Sequence, residues 1–184
     1  MKTDVDSFSP WDPKNKGVAY RLGNIISLIL AIPTILICSH ILANAGYSPY
    51  LALAFFPLAI PTIILHELIH AVFQWLFSKQ KPHLGFKRPF PYSKLGPNSS
   101  VTRNQGVLSS LAPLFLITLG LLLAVFFVSS LTRVALIIVA YLHASTCTGD
   151  LHFARWLLRQ PSDTRLRVED MTTVVFVALK ESSS

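Results

Sequence analysis

Charge is scarce in this 184-residue chain, 14% of it, against 52% hydrophobic residues and a mean hydropathy of +0.51. A soluble domain typically devotes about a quarter of its residues to charge, so that class is excluded and a small membrane protein takes its place. Cysteine is nearly absent. Cys38 and Cys147 both fall in apolar runs, which leaves no disulfide framework and makes the redox compartment illegible. There is no internal repeat, no low-complexity segment apart from the terminal serines and no nucleic-acid recognition module, and the chain reads as one domain over 1–184. A cleaved signal peptide is not expected, because the first apolar run comes after a polar stretch of about 24 residues and is long enough to span.

What is present is long apolar sequence. Four runs suffice to cross a bilayer, about Ile25 to Ala45, Tyr50 to Phe77, Gly106 to Ser129 and Arg133 to Leu158, each near or above the ~20 residues a helix needs. The expected fold is therefore an all-α membrane bundle of about four helices. Of sixteen Lys and Arg residues only Arg133 falls on the side of the short turns near 45–49 and 129–132; the other fifteen lie in the N-terminal segment, the long second connection and the tail. The positive-inside rule then places both termini and the long connection in the cytoplasm. The net charge of +7 answers to anionic inner-leaflet lipid, with no nucleic acid required. The connection Lys81 to Arg103 is rich in Pro, Gly and Ser with short alternating stretches, which predicts a hairpin, and Arg165 to Val168 with Thr173 to Ala178 predicts a second one in the tail. Asn98-Ser99-Ser100 matches a glycosylation acceptor but falls on the cytoplasmic side and is discounted.

The second run is interrupted by His66-Glu67-Leu68-Ile69-His70. An ionised acid near a bilayer centre costs about 2.5 to 3.5 kcal/mol on the translocon scale, so something local must offset Glu67. In an α-helix the first and fifth positions of HExxH lie about 40° apart around the axis and one turn apart along it, so His66 and His70 can direct nitrogens at one ion. Zinc held by two such nitrogens and a third ligand keeps a position open for water, and Glu67 beside it can take the proton, which is the chemistry of amide hydrolysis. With the His and Glu frequencies here, the motif arises by chance in roughly a few per thousand chains of this length. The plain alternative is a pair of packed helix histidines with a hydrogen-bonded carboxyl.

A third ligand is needed, and the fourth run supplies Asp150, its only acidic residue. Asp150 lies eight residues before Leu158 and His70 seven before Phe77, so at 1.5 Å per residue both sit roughly 10 to 12 Å inside the same face. The alternative for Asp150 is a helix-end carboxylate paired with Arg155 or Arg159. His143, seven residues earlier, is a candidate second-layer donor, substrate contact or plain core histidine, and Cys147 a candidate ligand or small buried residue. His152 is expected to face away, and His40 stands near the outer end of the first span. Pro57 and Pro61 predict a bend just before His66.

HELIH within a span, a loop with GFKRPFPY, a third span with LAPLFLITLG and a last one with CTGDLHFARWLL together resemble the putative zincin peptidase family of small membrane proteins. The resemblance runs from about Ile25 to the tail. More distantly the chain is similar to the site-two proteases, which cut peptide bonds within the membrane, although Thr148-Gly149-Asp150 here stands where those have Leu-Asp-Gly. The resemblance implies a zinc centre of His66, His70 and Asp150, with Gly149 and Asp150 matching the family's Gly-Asp pair and Glu67 as general base. The expected activity is a zinc peptidase acting on membrane-associated proteins or peptides in the lipid bilayer. The rival is a non-catalytic metal-binding membrane protein that works through a partner. Metal transport would need a polar path, and the outer halves of these spans are too apolar for one.

Overall fold

The computed structural model describes residues 13–87, 90–96, 99–168 and 174–178. The chain is mostly helical. Helix α1, Pro13–Asn44, is followed by a 3-10 helix at Pro49–Leu58 and by α2, Ala59–Ser78. The hairpin of β1, His83–Lys87, and β2, Phe90–Lys94, comes next, and then the short β3, Ser100–Thr102. Beyond it runs a long rod: α3, Arg103–Pro113, a π-helical segment Leu114–Leu119, α4, Gly120–Ala124, and a 3-10 turn at Val125–Phe127. Last come α5, Ser130–Thr146, α6, Thr148–Leu158, β4, Thr164–Val168, and β5, Val174–Ala178. Three helical stretches are long and apolar enough to cross a membrane, Arg21–Asn44, Ile60–Ser78 and Arg103–Phe127, and a fourth if the bent pair Ser130–Thr146 and Thr148–Leu158 counts as one.

Two of the expected spans depart from a single helix. The run from Tyr50 is 3-10 helix as far as Leu58, and the α-helix begins only at Ala59. Pro57 and Pro61 explain the change, since neither can donate a backbone hydrogen bond. Pro61 thereby falls in the first turn of α2, where donors have no helical partner anyway. The change of helix type falls at Leu58–Ala59, and α2 then runs as one α-helix through His66 to Ser78. The fourth run bends by 45° between α5 and α6. Its cause is local: the Ser145 hydroxyl donates to the Tyr141 carbonyl at 2.9 Å and the Thr146 hydroxyl to the His143 carbonyl at 2.8 Å. Side-chain bonds of this kind compete with the helix ladder and bend it.

Helix α1 packs on α5 and α6, and α3 lies between α2 and α6. Along α5 and α6 there are two apolar clusters. Cys38 and Leu42 of α1 meet Val134 and Ile138 of α5, and Leu157 of α6 meets Val101 and Leu166. Between them in sequence come His143, Cys147 and Asp150, a polar layer in an otherwise apolar bundle.

Both expected hairpins are present. β1 pairs antiparallel with β2, Gly85 opposite Tyr92. β4 pairs with β5, while Thr173 at the expected second strand lies outside the described residues. Unexpectedly, β3 joins them in an antiparallel sheet ordered β3-β4-β5. That sheet packs against α3 at Gly106, where an added Cβ would strike Leu166 and lie 3.0 Å from Leu157 Cδ1. β3 passes directly into α3 through a capping box, with the Thr102 hydroxyl accepting from Gln105 N–H and the Gln105 side chain accepting from Thr102 N–H. Such a cap is worth about 0.5–2 kcal/mol. Arg133 spans the turn before α5 and donates to the Val125 and Val128 carbonyls at 3.0 and 3.1 Å, groups left bare where the preceding helix ends.

Candidate metal centre

His66 and His70 sit one turn apart on α2, and both are buried. The one-turn spacing brings their Nε2 atoms to 3.0 Å from each other. Asp150, in the first turn of α6, reaches both: Oδ2 lies 3.1 Å from His66 Nε2 and Oδ1 3.3 Å from His70 Nε2. These contacts, rather than the alternative pairing with Arg155 or Arg159, occupy Asp150. Asp150 keeps a quarter of its side chain accessible, which marks the open side of the cluster.

Donor chemistry tests whether a cation fits. Ligand atoms about 2.0–2.1 Å from a tetrahedral zinc stand about 3.3–3.4 Å from one another. The contacts of 3.0, 3.1 and 3.3 Å are close to that spacing, with one Asp150 oxygen turned to each histidine. His70 has its tautomer set from behind, because its Nδ1 lies 2.8 Å from the Ser109 carbonyl, which can only accept. The hydrogen is therefore on Nδ1, and Nε2 presents a lone pair. The Ser109 carbonyl is available for a reason the sequence supplies. Its helical partner would be the N–H of residue 113, and residue 113 is a proline. A carbonyl left free by Pro113 thus orients His70 from the neighbouring helix, the outer-layer support that metal-binding histidines use.

Glu67 is next to the pair, with a carboxylate oxygen within 4.8 Å of the His66 and His70 donor atoms. The Ser93 side chain of β2 stands near its carboxylate, and the Ser93 hydroxyl accepts from Gln74 Nε2 of α2 at 3.4 Å. The hairpin is thereby tied to α2 at the site itself. Behind His66, its Nδ1 lies 3.1 Å from His143 Nε2, and His143 Nδ1 lies 2.9 Å from the Thr118 hydroxyl. Cys147 Sγ is 3.7 Å from His66 Nδ1, so His66, His143 and Cys147 form a second group of converging donors. His40 bonds Asn44 on α1, and neither it nor His152 belongs to either group. Ser93, the Ser109 carbonyl and Thr118 are site neighbours that sequence reasoning missed. Pro113 was the available signal for Ser109, whereas Ser93 and Thr118 carried none.

A comparison with protein families matches residues 59–165 to the family described as "Putative zincin peptidase". The chain belongs to that family. The match covers more than half of the sequence and runs from the start of α2 through β3 and the bent pair to the beginning of β4, so it contains every residue of the cluster. Comparisons with curated proteins and with solved structures return no match. Membership implies a metallopeptidase and a zinc ion, and the His-rich groups of this chain are of the kind that hold one.

Proposed function

We propose that this zincin-family chain is a multi-pass membrane peptidase in which His66, His70 and Asp150 hold zinc and Glu67 is the general base. The observation that carries the reading is the convergence of three side chains, His66, His70 and Asp150, each within 3.3 Å of the other two although their segments are 80 residues apart, with the Glu67 carboxylate beside them. A structural zinc site has four protein ligands and no need of a base, whereas three ligands with an adjacent carboxylate suit catalysis. Zinc in such a site supplies Lewis acidity and lowers the pKa of its water toward ~7. With the ion bound, Glu67 would be placed to take the proton of an attacking water and return it to the leaving nitrogen.

Membrane insertion is supported by what the helices leave bare. Buried residues make up only 11%, 17% and 22% of the most apolar window in the three long spans. Side chains such as Leu28, Ile29 and Phe115 are 60% or more exposed, a continuous apolar surface that water would not tolerate and lipid matches. In that setting both termini and the hairpins are cytoplasmic. Asp150 and His70 each lie eight residues before the end of their own helix, about 12 Å inside the cytoplasmic face. The bend at Cys147 precedes Asp150 and leaves that count intact.

Substrates are membrane-associated proteins presented as extended segments, because only an unwound backbone can reach the ion and its bare polar groups need partners. The hairpin supplies them. Among the described strands β1 and β2 pair only with each other, so their outer edges are open to strand addition, and β2 carries Ser93 against Glu67. The deciding experiment uses protein purified in detergent without chelator. The parent should carry about one zinc per chain, and His66→Ala, His70→Ala or Asp150→Ala should each lower it. Glu67→Gln should retain zinc and fold while losing hydrolysis of a membrane-anchored substrate by about 10² to 10⁴. Full zinc in the Asp150 variant removes that residue from the ligand set, and undiminished cleavage by Glu67→Gln ends the general-base assignment.

A further inference from the structure

The Ser109 carbonyl settles the tautomer of His70, but His66 has no such one-way partner. Its Nε2 faces His70 and Asp150, its Nδ1 faces His143 Nε2, and the single hydrogen of a neutral ring can sit at either end. With the hydrogen on Nε2, His66 has no lone pair to offer on the Asp150 side. The chain of contacts continues beyond His66 to a hydroxyl, which can accept as well as donate. His143 is 2% exposed, and its Nδ1 meets the hydroxyl of Thr118 at 2.9 Å. Thr118 stands in the π-helical segment Leu114–Leu119. A π turn holds an extra residue and so rotates the residues beyond it by about 100° relative to an α-helix. The turn that brings Thr118 to His143 is thus an irregularity placed where the contact needs it.

The geometry points to His143 as the positioning residue of the metal centre, an assignment that rests on the proposed ligand role of His66. Thr118 accepts from His143 Nδ1–H, His143 Nε2 accepts from His66 Nδ1–H, and the His66 Nε2 lone pair is left facing His70 and Asp150. The same relay decides between the two donor groups that share His66. An ion held by Cys147, His143 and His66 requires a bare His66 Nδ1, which the relay occupies with a hydrogen. The Cys147 thiol spends its own hydrogen on the His143 carbonyl at 3.2 Å. His143 therefore places the ion on the carboxylate side and keeps it off the thiol.

The test measures zinc affinity of the full chain in detergent by competition with a chromophoric chelator, together with the absorption spectrum of the cobalt-loaded protein. His143→Leu keeps bulk but removes both nitrogens and should weaken zinc about 10- to 100-fold, the usual cost of losing an outer-layer partner. His143→Gln, which restores an acceptor near the Nε2 position, should recover most of that loss. Thr118→Val keeps the shape, removes only the hydroxyl and should weaken zinc in the same direction; it decides the matter if His143→Leu does not fold. The parent's cobalt form should lack a thiolate charge-transfer band. Parental affinity in the folded His143→Leu or Thr118→Val protein, a Gln variant as weak as the Leu one, or a thiolate band in the parent would each overturn the assignment. Failure of the underlying ligand set looks different: the parent then binds no stoichiometric zinc, or His70→Ala binds it as well as the parent.

Discussion

A single methyl group at Gly106 probes how the β3-β4-β5 sheet and the metal centre depend on each other. The Cβ of Gly106→Ala would strike Leu166 and lie 3.0 Å from Leu157 Cδ1, and these two leucines are 2% and 0% exposed, so neither has room to swing away. Overpacking of this kind costs about 1–3 kcal/mol. For a chain of this length each kcal/mol moves the melting temperature by about 2–4 °C, which gives an expected loss of about 2–12 °C. The effect should reach the zinc site. Gly106 is one turn before Ser109 on α3, and a helix pushed off α6 carries the Ser109 carbonyl away from His70, so zinc affinity should fall by up to about 10-fold. Gly120→Ala is the matched control, because an added Cβ there meets nothing within 4 Å. In a helix that change is neutral or gains up to about 1 kcal/mol. Thermal unfolding in detergent and a zinc titration of both variants read the two effects. The packing account is refuted if Gly106→Ala melts with the parent, or if Gly120→Ala loses as much.

The proposed orientation and substrate docking each have an expected outcome of their own. Cysteines introduced at Lys14, Gln80 and Ser183 should be shielded from an impermeant thiol reagent in intact cells while one at Gly46 is labelled; labelling of Gln80 from outside would reverse the orientation and move the site to the other face. Proline substitutions taken singly at Gly85, Phe86 and Lys87 should weaken cleavage of a membrane-anchored substrate without releasing zinc, since they disturb the hairpin and not the ligands; if all three leave cleavage unchanged, substrate does not dock there.

The helices were legible because apolar length alone specifies them, and Ile25 to Ala45 and Gly106 to Ser129 overrun the helical stretches Arg21–Asn44 and Arg103–Phe127 only by a residue or two at their ends. What length cannot convey is the state of the backbone inside an apolar run. The 3-10 stretch before Ala59 and the bend at Cys147 both depend on which donors and acceptors are taken locally, by Pro57 and Pro61 in one case and by Ser145 and Thr146 in the other. Hydropathy is blind to that. The strand pairing was half legible. β4 and β5 are close in sequence and joined by a short connection, but β3 meets β4 across more than sixty residues, with Val101 opposite Leu166, and no local pattern records such a partner.

The same distinction runs through the proposed site. That His66 and His70 meet was readable because one helix fixes their spacing, and that Asp150 joins them because depth along a helix counts in residues of 1.5 Å. The atoms that face away from the site obey no such rule. His143 was singled out for standing two turns from Asp150 on one face, yet the bend at Cys147 lies between them, and its contact is with His66 on another helix. The Ser109 carbonyl belongs to the backbone, which no inventory of polar side chains contains. It becomes visible only by asking which carbonyl Pro113 leaves without a donor and then where that carbonyl points. Both histidines are thus supported from behind by one rod, Arg103–Phe127, through a defect in its regular helix: a missing N–H at Pro113 for His70, and a π turn at Thr118, by way of His143, for His66. An unbroken α-helix there would satisfy the Ser109 carbonyl internally and change the direction in which Thr118 is presented. The irregularity of that apolar span is therefore a structural requirement of the histidine pair it faces.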